Sequence, residues 1–79
     1  MKGGVNLYLR LKYEIQRKGY SIDMFSNKIG ISEKTLRNKI NGITDFTWSE
    51  VLLIRKLINP KMKLEELFKK EPKNINVIK

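Results

Sequence analysis

SIDMFSNKIGISEKTLRNKING, residues 21–42, holds two short apolar-periodic segments, each opened by a serine and closed by a glycine. Ser21 follows Tyr20 and precedes Phe25 by four positions, and Ser32 stands in the same relation to Ile31 and Leu36. A hydroxyl so placed accepts one of the backbone N–H groups that a helix start leaves unpaired. The flanking apolar pair then staples the chain's approach to the helix. The pattern predicts one helix over about residues 22–29, stopped at Gly30, and another over about 33–41, stopped at Gly42, glycine being favoured just past a helix end. Helices of two or three turns do not persist alone, so Phe25, Ile29, Leu36 and Ile40 are expected to pack against neighbours.

The same signature recurs downstream. Thr47 lies between Phe46 and Val51, and Glu50 three residues on completes a capping box, predicting a fourth helix over about 48–58, before Pro60. Upstream, Tyr8, Leu11 and Ile15 recur at helical spacing, predicting a first helix over about 5–18 that ends at Gly19. A fifth helix is expected over about 64–70, with Glu65 and Glu66 in its first turn and Lys69 and Lys70 in its last, as the helix dipole favours. Pro72 should end helical structure and leave a tail. The expected architecture is all-α: one five-helix domain over residues 1–71, with its motif at 21–42, and residues 72–79 as a flexible or dimerising end.

At 79 residues there is room for one core only. Seventeen Lys and Arg against eight Asp and Glu leave a net charge of +9, which suits a polyanionic partner, nucleic acid before an anionic membrane surface. The segment 43–60 holds only Arg55 and Lys56 against Asp45 and Glu50, so it should face away from the polyanion. With neither cysteine nor histidine, disulfides, thiolate zinc sites and the usual general base are excluded. Glu65 and Glu66 diverge on their helix and do not read as an acid–base pair. The expectation is a non-enzymatic cytoplasmic protein with no cofactor, no metal, no small-molecule ligand and no membrane partner.

These marks resemble the lambda-repressor-like helix-turn-helix family, the Cro and phage-repressor group: Lys-Gly-Tyr-Ser at 18–21, Lys-Ile-Gly-Ile-Ser at 28–32, Thr-Leu at 35–36, Lys-Ile-Asn-Gly at 39–42 and Phe-Thr-Trp-Ser-Glu at 46–50. The resemblance covers residues 7–69. It implies a transcriptional regulator, of phage or prophage type, whose third helix enters the major groove of an operator. By position, Glu33, Lys34, Arg37 and Asn38 match base-reading sites, while Ser32, Asn41 and Thr44, with the amides near Gly42, match phosphate contacts. Ser26 falls where the two motif helices cross closely, and Gly30 and Ile31 form the corner. Three residues depart from the family pattern. Ile22 stands where many relatives carry a phosphate-binding glutamine, Lys39 occupies a commonly apolar position, and Arg55 replaces a small residue.

The fourth helix is apolar on most sides. Val51, Ile54 and Ile58 suffice for a core, which leaves Trp48, Leu52, Leu53 and Leu57 to meet the fifth helix or to form a homodimer face, as a palindromic operator would favour. The segment 74–78, Asn-Ile-Asn-Val-Ile, has strand-like composition and could extend such a dimer. A second function class keeps the fold and uses the fourth-helix surface on another protein, as an antitoxin or antirepressor.

Overall fold

The computed structural model describes residues 6–72. Its order is β1 (Asn6–Leu7), α1 (Leu9–Arg17), α2 (Ile22–Ile29), α3 (Glu33–Ile40), α4 (Trp48–Ile58), α5 (Leu64–Leu67) and β2 (Glu71–Pro72). The fold is mostly helical, and the expectation for 74–78 lies outside the described residues.

All three hydroxyl caps form. Ser21 Oγ accepts from the Met24 amide at 3.0 Å and Ser32 Oγ from that of Thr35 at 3.1 Å. Thr47 Oγ1 accepts from the Glu50 amide at 3.1 Å, while Glu50 Oε1 accepts from that of Thr47 at 2.9 Å, closing the capping box. The first staple is a ring contact, with Tyr20 and Phe25 centroids 5.2 Å apart. At the corner Gly30 takes φ +83°, and the Ile31 amide donates back to the Ser26 carbonyl at 3.0 Å. That left-handed turn lets the chain reverse into α3 within two residues. Ser26 is buried where α2 meets α3, its hydroxyl donating to the Asp23 carbonyl at 2.7 Å.

One core joins every helix: Leu11 and Ile15 of α1, Ile22 and Phe25 of α2, Leu36 and Ile40 of α3, Ile54 and Ile58 of α4, and Leu67 of α5. Tyr8, just ahead of α1, is buried with them. Its ring meets Phe46 and Phe68 edge-on, with centroids 5.2 and 6.0 Å away, a geometry that aromatic quadrupoles favour.

Two helix ends differ from expectation, and one cause explains both. α1 begins at Leu9, because Asn6 and Leu7 pair antiparallel with Pro72 and Glu71. The Tyr8 amide donates to the Ile40 carbonyl at 2.9 Å, outside any helix ladder. α5 spans only Leu64–Leu67, so Lys69 and Lys70 are not in its last turn, and Pro72 belongs to a strand. Phe68, whose ring meets both Tyr8 and Phe46, lies where the chain leaves α5 for β2. Lys70 Nζ lies over the Tyr8 ring at 5.5 Å, a cation–π contact in place of a dipole contact.

Candidate functional site

α3 is positioned from both ends. The Ser32 cap and the Gly30 corner set its start, while Leu36 and Ile40 hold its inner face in the core. The far end is held by Lys39, which sequence reading marked as a departure without finding its partner. The Lys39 ammonium donates to the Asp45 carbonyl at 2.8 Å and pairs with Glu50 Oε1 at 3.0 Å. Its side chain is one-tenth exposed. Burial pushes the Glu50 carboxyl up, but the Thr47 amide and the Lys39 ammonium outweigh it and hold the group below the ordinary glutamate value. The capping carboxylate of α4 is therefore also the anchor for the end of α3.

The outer face of α3 divides in two. Lys34 is exposed and Asn38 half-buried, one turn apart on one side. On the other, Arg37 Nε and Nη2 both donate to Glu33 Oε2, at 2.9 and 2.5 Å, so Glu33 and Arg37 present themselves as one unit. Arg37 also lines a small open cleft with Ile40 and Asn41 of the same segment, Ile22 of α2 and Lys12 of α1. Lys12 was not among the residues the sequence singled out. Its signal was available, since it lies off the Tyr8–Leu11–Ile15 stripe.

The three residues expected to grip phosphate are differently equipped. Asn41 and Thr44 are exposed, and the Asn41 side chain makes no hydrogen bond among the described residues. The Ser32 hydroxyl donates to Thr35 Oγ1 at 2.8 Å besides accepting the cap. The amides near Gly42 are engaged within the fold: Gly42 donates to the Lys39 carbonyl at 3.1 Å, and Ile43 and Thr44 donate to that of Asn38 at 2.9 and 3.4 Å. The left-handed turn at Gly42, φ +79°, uses these donors to close α3.

α4 carries a separate feature. Ile54 and Ile58 are buried, Val51 and Leu57 half-buried, and Trp48, Leu52 and Leu53 exposed, Trp48 by 66%. Trp48 and Leu52 share one side of the helix at i, i+4 spacing. Glu14 of α1 was also unforeseen. Buried at 4% exposure, it accepts from Arg10 Nε at 2.9 Å and Arg17 Nη1 at 3.3 Å, and Arg10 reaches on to Glu66 at 3.4 Å.

Among the described residues no helix is long and apolar enough to cross a membrane, and no three His, Cys, Asp or Glu side chains group as metal ligands. No protein-family model matches the chain, and no curated protein or solved structure matches it.

Proposed function

We propose that this chain is a sequence-specific double-stranded DNA-binding regulator of the lambda-repressor-like class, acting at an operator in the manner of a Cro-type phage or prophage protein. One observation carries the reading. The capped α2–Gly30–α3 corner holds a helix whose inner face is anchored by Leu36, Ile40 and Lys39, and whose outer face offers Lys34, Asn38 and the Glu33–Arg37 unit together. The outer side of α3 is open at Lys34 and Arg37, as that of a helix entering the major groove must be. The net charge of +9 supplies the attraction to phosphate. Lys34 suits guanine O6 and N7, and Asn38 suits the N6 and N7 edge of adenine. Trp48, Leu52 and Leu53 on α4, with the half-buried Leu57, provide the face on which two copies would meet on a palindromic site.

The test is selection of bound sequences from a random duplex pool, followed by binding measured across salt concentrations. A single enriched motif, with affinity falling steeply as salt rises, is the expected result; no enrichment with a flat salt response removes the reading. The exposure of Trp48 by 66% favours a second reading, a protein-interaction module of antitoxin or antirepressor type. Partner capture that survives nuclease treatment and is lost in Trp48→Ala, by a chain that enriches no duplex, would select it.

A further inference from the structure

We infer that the cleft between α1, the start of α2 and the end of α3 is an oxyanion site built for one phosphate group, and that Arg37 serves it with Lys12 and Asn41. The lining residues come from three separate helical segments: Lys12, Ile22, and Arg37 with Ile40 and Asn41. Ile22 and Ile40 are buried core residues and form an apolar floor. Each polar side chain that lines the cleft carries a donor. Lys12 brings an ammonium with no acidic partner among the described residues, whereas the other α1 cations, Arg10 and Arg17, are taken up by Glu14. Asn41 brings a side-chain amide that makes no hydrogen bond among the described residues.

Arg37 adds a guanidinium whose Nε and one Nη2 proton face Glu33. A guanidinium has five N–H donors, so three remain for a second acceptor. Among the described residues Glu33 is the one acid bound to this group, and it holds Arg37 alongside the cleft without exhausting it. Glu33 offsets the Arg37 charge, so Lys12 supplies the cleft's uncompensated positive charge and Arg37 its directed donors. A tetrahedral oxyanion, with acceptors on all sides, matches an ammonium from α1 and a guanidinium and an amide from the end of α3, all lining one cleft.

An isoleucine at the head of α2 donates nothing from its side chain, and Lys12 reaches the same place from α1. Arg37 is thereby assigned to the phosphodiester backbone, with base reading left to Lys34 and Asn38. The assignment rests on the DNA reading only for the source of the anion. A phosphodiester and a free phosphate offer the same oxygens.

The experiment compares the full chain with Lys12→Gln and Arg37→Gln, first on a short duplex of the selected sequence and on one of mixed sequence. Each variant is expected to weaken binding to both duplexes by the same factor and to lower the slope of log affinity against log salt by about 0.9, the loss of one phosphate contact. The selected motif should stay unchanged. If Arg37→Gln instead relaxes one base pair at unchanged slope, Arg37 is a base reader and the inference is overturned. It is equally overturned if Lys12→Gln leaves affinity and slope as they were.

If the unaltered chain binds no duplex, the DNA reading fails separately, and inorganic phosphate decides the cleft. Saturating amide shifts confined to residues 12, 22, 37 and 41, and abolished in Lys12→Gln, would sustain it as a free-phosphate site. Absence of such shifts would end it. Lys12 and Arg37 are exposed, so both variants should retain the helical circular-dichroism spectrum of the parent.

Discussion

Lys39 of α3 and Glu50 of α4 meet at 3.0 Å in a largely buried ion pair, and the same Glu50 oxygen closes the capping box on Thr47. One carboxylate thus serves as helix cap, as counter-charge and as the joint between the candidate recognition helix and α4. Removing either partner leaves the other charge without its counter-ion.

Glu50→Ala should cost about 3 kcal/mol, the lower end for breaking a buried pair by deleting one side, since water reaches part of this one. Lys39→Met, which keeps the stem and loses the charge, should cost less, about 1 to 2 kcal/mol, because Glu50 retains the Thr47 amide. Urea denaturation of the two variants checks both the size and the order.

The same pair makes stability depend on acid. The Glu50 carboxyl is held below the ordinary glutamate value, so as pH falls the unfolded chain binds a proton there before the folded chain does. Its contribution is therefore complete above the unfolded value and is lost as pH falls through the folded one. Midpoints measured from pH 6 down to about 2 should fall less steeply for Glu50→Gln than for the parent. Parallel curves would show that the carboxylate contributes nothing.

Gly30 sits at φ +83° with nothing within 4 Å of where a Cβ would stand. The penalty of a side chain there is purely one of backbone conformation. Gly30→Ala should cost about 1 to 2 kcal/mol and Gly30→Asn less, asparagine tolerating the left-handed region better. Thermal melts would rank the three.

On DNA, Lys34→Ala and Asn38→Ala should each lose about 1 to 3 kcal/mol on the preferred sequence and relax the choice at one base pair, with little change in salt slope. Competition binding against single-pair variants of the selected site reads this directly. Equal losses on every sequence would move these residues to the backbone.

Trp48→Glu with Leu52→Glu should leave the helical spectrum intact, since both side chains are exposed, and should abolish any dimer seen by sedimentation. Occupancy of a palindromic site would then fall while half-site binding persists. A parent chain that sediments as a monomer with and without DNA would leave α4 no role in self-association.

Much of this fold was legible because it is written in short-range chemistry. Ser21, Ser32 and Thr47 with their staples, and the glycines at 30 and 42, act within six residues of themselves, and α2, α3 and α4 fall where they place them. What escaped depends on distant partners. The ends of α1 and α5 are set by a strand pair joining Leu7 to Glu71, and a two-residue strand has no pattern of its own. The burial of Lys39 is visible only once Glu50 and the Asp45 carbonyl face it. The candidate site was half legible in the same sense. Helical spacing put Glu33, Lys34, Arg37 and Asn38 outward, but spacing along α3 could not reveal that Arg37 leans on Glu33 or that Lys12 arrives beside it from α1.

The pairing of β1 with β2 has a topological consequence. Leu7 and Glu71 lie side by side, about 5 Å apart as neighbouring strands are, so the described chain is nearly a closed ring. A peptide bridge from residue 72 back to residue 6 would complete that ring without moving a helix, and the loop could then be reopened elsewhere. The segment between α3 and α4, exposed at residues 43–45, is the place to cut. The resulting permutant would carry its free ends beside the Lys39 joint, turning a covalent connection between the two helices into one held by the Lys39 contacts and the core.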